Sequence, residues 1–242
     1  MPDAAAVRRA VAGVLCPLAL FAAAAIPQGW GGVRVSFASD DGVSLDATLY
    51  EPQGESRGAV VLVHMLTRDR HDWDRVGERL ALRGLAALAV DLRGHGESGG
   101  VRAGDPAEYA RDVSAALEYL ERRPDLSAGR LGVAGASLGA NLALTVAAGR
   151  EGVRSLALLS PSLDYRGLRI EAAMKRYGPR PAILVASTDD AYATRSVRTL
   201  ASVGPGTREV VSLDHAGHGA IMLVRRPDLV DTLVDWFSRT LL

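Results

Sequence analysis

One serine that lies between two glycines is the residue of this chain best suited to covalent chemistry. Ser137 occupies the centre of Gly135-Ala136-Ser137-Leu138-Gly139, after a short apolar run and before a stretch rich in Ala and Leu. A sharp turn from a strand into a helix can strain a serine backbone and expose its hydroxyl. Neighbouring backbone crowds such a turn, which gives Gly135 and Gly139 a steric reason to be glycine. The pattern predicts a nucleophile, with the N-terminus of the following helix facing any oxyanion that forms.

A serine hydroxyl is a poor nucleophile at neutral pH, so it needs a basic partner and an acidic residue that orients this base. Downstream of Ser137 the chain offers Asp189 and Asp190 after one predicted strand. It offers His215 and His218 after the last predicted strand. The residues therefore occur in the order serine, aspartate, histidine, and the pattern alone leaves the choice within each pair open.

The elements that must position these residues alternate between strand and helix. Residues 33–37 and 43–50 alternate in polarity around a turn at 40–42, which predicts a half-exposed hairpin. Short strands are predicted at 59–63, 85–90, 131–136, 153–159, 181–186 and 208–213. Helices are predicted at 72–83, from the Asp105 cap to about 122, after Ser137, at 191–202, and from 219 to about 239. Such alternation indicates a parallel sheet with helices on both faces, and the candidate residues all follow carboxyl ends of strands.

Four stretches together resemble the motifs of the α/β-hydrolase fold superfamily, namely residues 62–66, 91–98, 135–139 and 216–219. The resemblance extends from about Val33 to the end of the chain. It implies an α/β fold with a mostly parallel, eight-stranded sheet covered on both faces, an N-terminal antiparallel hairpin and a minimal lid. The motifs are specific for the fold and carry no information about the substrate.

The resemblance also implies the role of each catalytic candidate. Ser137 is then the nucleophile, and His218, in Gly-His-Gly after the last strand, is the base rather than His215. The family's usual loop places the second aspartate, Asp190, at the position of the triad acid. Asp189 would then form a turn or cap the following helix.

The oxyanion hole is expected to combine two backbone N–H groups, from Leu138 and, by resemblance, from Leu66. Met65 stands where the family usually has glycine, and it places a flexible apolar side chain beside the mouth of the pocket. His64 is interpreted as an orienting residue beneath this loop. The glycines and charges of residues 91–98 are interpreted as structural, in a tight turn after a strand.

Only about twenty residues, 160–180, separate two predicted strands where this fold usually carries a cap. They leave room for one modest helix, so we expect a fairly open cleft suited to short or medium acyl chains. Trp73, Tyr165 and Tyr192 are candidates for its apolar walls. Asp164, in the same segment, is a further candidate for the acid.

The first 25 residues have the layout of a secretory signal peptide. Arg8 and Arg9 precede an apolar run over residues 10–26, which contains an Ala-x-Ala cleavage site at 23–25. We therefore expect a leader over 1–25, a hydrolase domain over 26–242 and export to the periplasm or the medium. The alternative is a retained N-terminal membrane anchor. Cys16 is the only cysteine, so an exported mature chain would contain no disulfide.

Composition narrows the classes of partner. The chain has 242 residues, 48% of them apolar, and a formal net charge of zero. Zero net charge gives no electrostatic case for binding nucleic acid, and membrane contact is expected only if the N-terminal segment is retained. The histidines at 215 and 218 are the only close pair, and no metal-binding or dinucleotide-binding motif accompanies them. We therefore expect no metal and no cofactor.

These observations predict a serine hydrolase that cleaves small-molecule carboxylic esters through an acyl-enzyme. The same triad also serves peptidases or amidases, thioesterases and cofactor-free haloperoxidase-like enzymes, which remain alternatives. A non-catalytic binding protein on a hydrolase scaffold is the alternative from another class.

Overall fold

The computed structural model describes residues 31–124 and 130–242. The predicted leader, residues 1–25, and Cys16 lie outside the described residues. Within the described ranges, no helix has both the length and the apolar character needed to cross a membrane.

An eight-stranded sheet forms the centre of the molecule. Its strands, with the two of a separate small hairpin (β7 and β8), are β1 (Val33–Ala38), β2 (Ser44–Tyr50), β3 (Ala59–Val63), β4 (Ala86–Val90), β5 (Leu131–Ala136), β6 (Val153–Leu159), β7 (Asp164–Tyr165), β8 (Leu168–Arg169), β9 (Ala182–Ser187) and β10 (Arg208–Leu213). The order across the sheet is β1-β2-β4-β3-β5-β6-β9-β10. Within this sheet, β2 pairs antiparallel with β1 and β4, and every other pairing is parallel. The predicted fold class is therefore confirmed, including the N-terminal hairpin.

Helices cover both faces of this sheet. They are α1 (Asp74–Leu82), α2 (Pro106–Glu121), α3 (Leu138–Ala147), α4 (Glu171–Tyr177), α5 (Ala191–Ala201), α6 (Ile221–Arg225) and α7 (Asp228–Leu241). Successive residues of a strand point to opposite faces. Val61 and Val63 accordingly join the core under α2 to α5, whereas Val60 and Leu62 join the core under α1, α6 and α7.

Local sequence signals account for the starts of α2 and of the short 3-10 turn before α1. Asp105 caps α2 by accepting a hydrogen bond from the Ala107 N–H, with Pro106 at the first helical position, as predicted. The helix predicted from Asp72 instead begins as a 3-10 turn over Arg70–Trp73 and becomes α-helical only at Asp74. The Asp69 carboxylate starts this turn by accepting from the His71 N–H.

The lid differs from its predicted single helix. Residues 164–169 form the β7–β8 hairpin, and α4 follows it. Arg166 and Gly167 turn the hairpin with φ values of 49° and 89°. Asp164 closes it by accepting from the Gly167 N–H at 2.7 Å and from Arg169 Nε at 2.9 Å. Asp164 therefore stabilises the lid hairpin. Both of these hydrogen bonds stay within the hairpin, and neither involves the loop that carries His218.

Candidate active site

Ser137 occupies a strained turn between β5 and α3. Its φ and ψ values are 52° and −115°, a conformation that non-glycine residues rarely adopt and that is found most often at functional sites. A Cβ at Gly135 would lie 2.1 Å from the Gly139 carbonyl oxygen, and a Cβ at Gly139 would lie 2.4 Å from the Val63 carbonyl oxygen. Both glycines are therefore required by close backbone packing, as the sequence predicted.

The structure brings Ser137, His218 and Asp190 together. His218 Nε2 lies 2.8 Å from the Ser137 hydroxyl oxygen. His218 Nδ1 lies 2.5 Å from Asp190 Oδ2. The side chain of His218 is 42% exposed and that of Asp190 is 15% exposed, so the imidazole is accessible from the surface. A base within reach of a hydroxyl, and oriented by a carboxylate, is the geometry that activates a nucleophile.

Asp190 also caps helix α5. Its Oδ1 accepts from the Ala193 N–H at 3.1 Å, while Oδ2 faces His218. Of the two roles predicted for Asp189, capping is wrong, because Asp190 caps α5, whereas Asp189 does lie in the turn that precedes this helix. Asp189 instead accepts from the Gly217 N–H at 3.1 Å and from the Ser187 hydroxyl. The hydrogen bond from Ser187 lowers the pKa of Asp189 below its ordinary value.

Two buried serines hold the loop that carries His218. The Ser187 hydroxyl oxygen accepts from the Ala216 N–H at 2.7 Å, and the Ser160 hydroxyl oxygen accepts from the Gly219 N–H at 3.0 Å. Both serines are fully buried. Sequence reasoning missed them, although each lies at the carboxyl end of a parallel strand, where sites of this architecture form.

The two predicted oxyanion donors lie on elements that leave their N–H groups unpaired. Leu138 is the first residue of α3, and a first-turn N–H has no acceptor within its helix. Leu66 lies in a turn closed by the bond from the Arg68 N–H to the Met65 carbonyl oxygen. Within residues 31–124 and 130–242, no backbone acceptor takes a hydrogen bond from the N–H of Leu66 or Leu138. Within this turn, Thr67 has a positive φ of 65°.

Met65 lies beside the histidine loop. Its sulfur is 2.8 Å from the position that a Cβ on Gly219 would take, so only glycine fits there without moving the methionine. The Met65 side chain therefore packs against Gly219, the residue that follows His218. The sequence predicts the mouth of the pocket at this position.

His64 is a neutral, structural histidine below the Met65–Leu66 loop. Nδ1–H donates to the Met65 carbonyl oxygen at 2.7 Å, and Nε2 accepts from the Leu92 N–H at 3.0 Å. Because Nε2 is an acceptor, a second proton would break the bond to Leu92. Burial lowers the pKa of His64 accordingly. These contacts support the orienting role predicted for this residue.

The charges of residues 91–98 hold their own turn in place. Asp91 accepts from the Arg70 N–H at 2.7 Å and the Glu97 N–H at 2.9 Å, and it pairs with the Arg70 guanidinium. Arg93 pairs with Asp112 at 2.7 Å. These partners confirm the structural interpretation of the stretch.

The remaining candidate residues do not contact Ser137, His218 or Asp190 through the bonds described below. His215 has a side chain that is 79% exposed and lies 3.7 Å from Asp214. Trp73 is buried in the core, so its predicted place in a cleft wall is wrong. Tyr192 is 45% exposed, and its hydroxyl donates to the Asp164 carbonyl oxygen at 3.4 Å. Among the described residues, no group of three or more His, Cys, Asp or Glu side chains is arranged to hold a metal.

The sheet topology and the flanking helices define a protein of the α/β-hydrolase fold. A family model described as serine aminopeptidase, S33, matches residues 54–203. The match covers more than half of the chain, which therefore belongs to this family.

A curated relative is similar over a shorter segment. The chain is 36% identical over 86 residues to a monoacylglycerol lipase of Mycolicibacterium smegmatis. This segment is 36% of the present chain and 28% of the lipase, so the chain matches less than a third of that relative's length.

Solved structures share the fold at low sequence identity. An esterase of Pyrococcus furiosus superposes with a TM-score of 0.72 at 19% identity, over 87% of this chain and 93% of the esterase. A dienelactone hydrolase of Anabaena variabilis gives 0.72 at 21% identity, over 87% and 98% of the two chains. Est1E of Butyrivibrio proteoclasticus, solved with ferulic acid, gives 0.69 at 19% identity, over 84% and 99%. At these identities the likeness demonstrates the fold alone.

Proposed function

We propose that this protein is a serine hydrolase that cleaves carboxylic esters of small molecules through an acyl-enzyme. The observation that carries the proposal is the position of His218, within hydrogen-bond distance of both Ser137 and Asp190. His218 Nε2 accepts the hydroxyl proton as Ser137 Oγ attacks the acyl carbon. Asp190 keeps the proton of the neutral imidazole on Nδ1 and stabilises the imidazolium that forms.

The two backbone N–H groups of Leu66 and Leu138 bind the negatively charged oxygen of the tetrahedral intermediate. Such donors are fixed before the reaction, and losing one typically raises the barrier by about 3 kcal/mol. Collapse of the intermediate expels the alcohol, which takes the proton from His218 Nε2. Water, deprotonated by the same imidazole, then attacks the acyl-enzyme and releases the acid. No step requires a metal or a cofactor.

An ester with a short or medium acyl chain is the substrate class we favour. The lid consists of a hairpin with two residues in each strand and of the seven-residue helix α4. With so small a lid, the side chain of His218 remains 42% exposed. The lipase and esterase names of similar proteins agree with ester cleavage. A site of this openness suits a small ester, or an ester bond on a larger molecule, better than a deeply enclosed lipid tail.

Amide cleavage is the second candidate, because the matching family is described as a serine aminopeptidase. An amine must be protonated before it leaves, and His218 Nε2 is placed to supply that proton. Thioester cleavage would use the same residues. A binding protein without catalysis is the remaining candidate.

We also propose that residues 1–25 direct export of the chain to the periplasm or the medium. The proposal rests on the arginines, the apolar run and the Ala-x-Ala site of the sequence. N-terminal sequencing of the protein recovered from each fraction of the expressing bacterium tests it. A mature N-terminus near Ile26 outside the cytoplasm supports export, whereas an intact Met1 in the membrane fraction would support the anchor.

Steady-state hydrolysis of paired chromogenic substrates tests the proposed activity. p-Nitrophenyl esters of increasing acyl length are compared with p-nitroanilides and thioesters of the same acyl groups, for the wild type, Ser137→Ala and Ser202→Ala. Ser202 is an exposed serine at the end of α5 and serves as the matched control. We expect the highest kcat/KM on esters, loss of activity in Ser137→Ala and no change in Ser202→Ala. Preference for anilides would favour the amidase, and a folded but inactive wild type would favour the binding protein.

A further inference from the structure

A cationic cavity lies at the amino ends of strands β6 and β9, whereas the candidate active site lies at the carboxyl ends of the strands. It has a volume of about 590 Å³ and is lined in part by Glu151, Arg154, Arg176, Tyr177 and Arg180. These residues precede or begin β6 and β9, whereas Ser137 follows the carboxyl end of β5. The two ends of β6 lie roughly 20 Å apart, at about 3.3 Å per residue, so the cavity and the candidate active site are separated by about this distance. The cavity is therefore distinct from the proposed catalytic cleft.

Neutral acceptors fix two guanidinium groups, that of Arg180 in the cavity lining and that of Arg208, which lies outside the lining and 5.8 Å from the ring of Tyr177. Arg180 donates to the carbonyl oxygens of Arg150 at 2.6 Å and Val153 at 2.7 Å, and its guanidinium lies 4.0 Å above the ring of Tyr177. Arg208 donates to the Gly178 carbonyl oxygen at 2.7 Å. Carbonyl oxygens satisfy N–H donors without cancelling the positive charge, so both groups remain cationic and rigid.

The carboxylates that would usually neutralise such groups are scarce here. Arg154 and Arg176 line the cavity, and neither forms a hydrogen bond or an ion pair within the part of the chain that the structure describes. Among the described residues of the lining, Glu151 is the only acidic one. Burial lowers the pKa of Arg180, and that of Arg208, below the ordinary value, as expected where cations lack a compensating charge.

The positive charge persists after the backbone is considered. Helices α3 and α4 both end beside the cavity, at Ala147 and Tyr177, and each helix C-terminus contributes roughly −0.5 charge. The three arginines of the lining, its one glutamate and these two helix ends leave about one positive charge. A small anion is the ligand that this balance would match.

We propose that this cavity binds a small anion of the phosphate-monoester type, held by the free guanidinium groups of Arg154 and Arg176 together with the fixed guanidinium of Arg180. Planar guanidinium forks bind phosphate oxygens in pairs, which favours phosphate over a single carboxylate. The same chemistry is presented by a soluble phosphate compound and by the headgroup of a phosphatidate lipid.

Titration calorimetry with inorganic pyrophosphate and inorganic phosphate tests the proposal on the full-length protein. The variants are Arg154→Ala/Arg176→Ala and the control Arg75→Ala/Arg198→Ala, which removes the same charge from exposed positions outside the cavity. We expect the cavity variant to lose at least about tenfold in affinity, which corresponds to 1.4 kcal/mol. We expect the control to change by less than about twofold, and wild-type affinity to fall as salt is raised.

Equal affinity in the two double variants, or no binding to the wild type at millimolar anion, would overturn the proposal. All four arginines are exposed, so neither double variant should disturb the fold. Melting temperatures of both variants are measured together with the affinities to check this. Sedimentation with vesicles of phosphatidylcholine, with and without phosphatidate, then identifies the source of the phosphate. Binding that depends on both phosphatidate and the cavity arginines indicates a lipid headgroup, whereas pyrophosphate binding without vesicle binding indicates a soluble ligand. Hydrolysis of p-nitrophenyl esters is expected to be unchanged in all variants.

Discussion

The Asp190 carboxylate serves helix α5 with one oxygen and His218 with the other. Oδ1 accepts from the Ala193 N–H, and Oδ2 lies 2.5 Å from His218 Nδ1. The cap fixes the direction of the carboxylate, so the imidazole meets an acceptor that cannot rotate freely. The same residue therefore ends a loop, begins a helix and orients the proposed base.

Substitution of the two neighbouring aspartates should separate these roles. Asparagine is a good N-cap, so Asp190→Asn should keep α5 while losing the negative charge beside His218. We expect kcat for a p-nitrophenyl ester to fall by about ten-thousand-fold. Asp189→Asn retains an oxygen that can accept from the Gly217 N–H, and we expect a fall of about tenfold or less. A larger loss in Asp189→Asn than in Asp190→Asn would assign the acid to Asp189.

Ser160 is expected to act as a positioning residue for His218. Ser160→Ala leaves the buried Gly219 N–H without an acceptor, which costs about 1–3 kcal/mol. We expect kcat to fall by about tenfold with little change in KM, because the imidazole and not the substrate is misplaced. Ser155→Ala is the control, since it removes a buried serine of β6, the strand that Ser160 follows, whose hydroxyl accepts from Thr240 away from the site. Equal kcat values for the two variants would refute the positioning role.

Gly139 should be intolerant of even a methyl group. A Cβ there would lie 2.4 Å from the Val63 carbonyl oxygen and 2.6 Å from that of His64. Helix propensity alone would favour Gly139→Ala by about 1 kcal/mol, so close packing and propensity predict opposite signs. We expect the free energy of unfolding to fall by about 1–3 kcal/mol, measured by urea denaturation.

Gly104→Ala provides the comparison, because a Cβ at Gly104 would meet no atom within 4 Å. Its stability should stay within about 0.5 kcal/mol of the wild type. If Gly139→Ala were as stable as Gly104→Ala, the close backbone contact at the serine turn would be contradicted.

His64 should make stability depend on pH in the weakly acidic range. Its folded-state pKa is lowered by burial, so the unfolded chain takes up a proton first as the pH falls below about 6.5. The free energy of unfolding should therefore decrease between pH 7 and 5, by up to about 1.4 kcal/mol per pH unit for this one group. Urea denaturation across this range should give a smaller slope for His64→Gln. An unchanged slope, or imidazole ¹⁵N shifts showing a charged His64 at pH 6, would contradict the assignment.

Sequence reasoning succeeded where local patterns determine structure. The glycines around Ser137, the Asp105-Pro106 helix start and the alternation of apolar strands with helices are each specified by nearby residues. The contact between Ser137 and His218 could be expected, because both residues follow the carboxyl ends of parallel strands. The resemblance to a known fold then supplied the choice of Asp190, which the structure places against His218.

The errors arose where contacts between distant residues decide the outcome. Asp189 and Asp190 are equally good caps by residue type, and only the loop containing Gly217 shows which of them α5 uses. The supporting bonds of Ser160 and Ser187 span 59 and 29 residues, and no local pattern encodes them. In the lid, the bonds from Gly167 and Arg169 to Asp164 favour a hairpin over the helix that residue spacing predicted.

The central claim is that Ser137 becomes a nucleophile because His218 removes its proton. Labelling with a fluorophosphonate, followed by peptide mass spectrometry, tests this claim most directly, since the probe reacts only with an activated hydroxyl. We predict one adduct per chain, on the peptide that contains Ser137, and none in Ser137→Ala or His218→Ala. An adduct on another serine, or undiminished labelling of Ser137 in folded His218→Ala, would contradict the account.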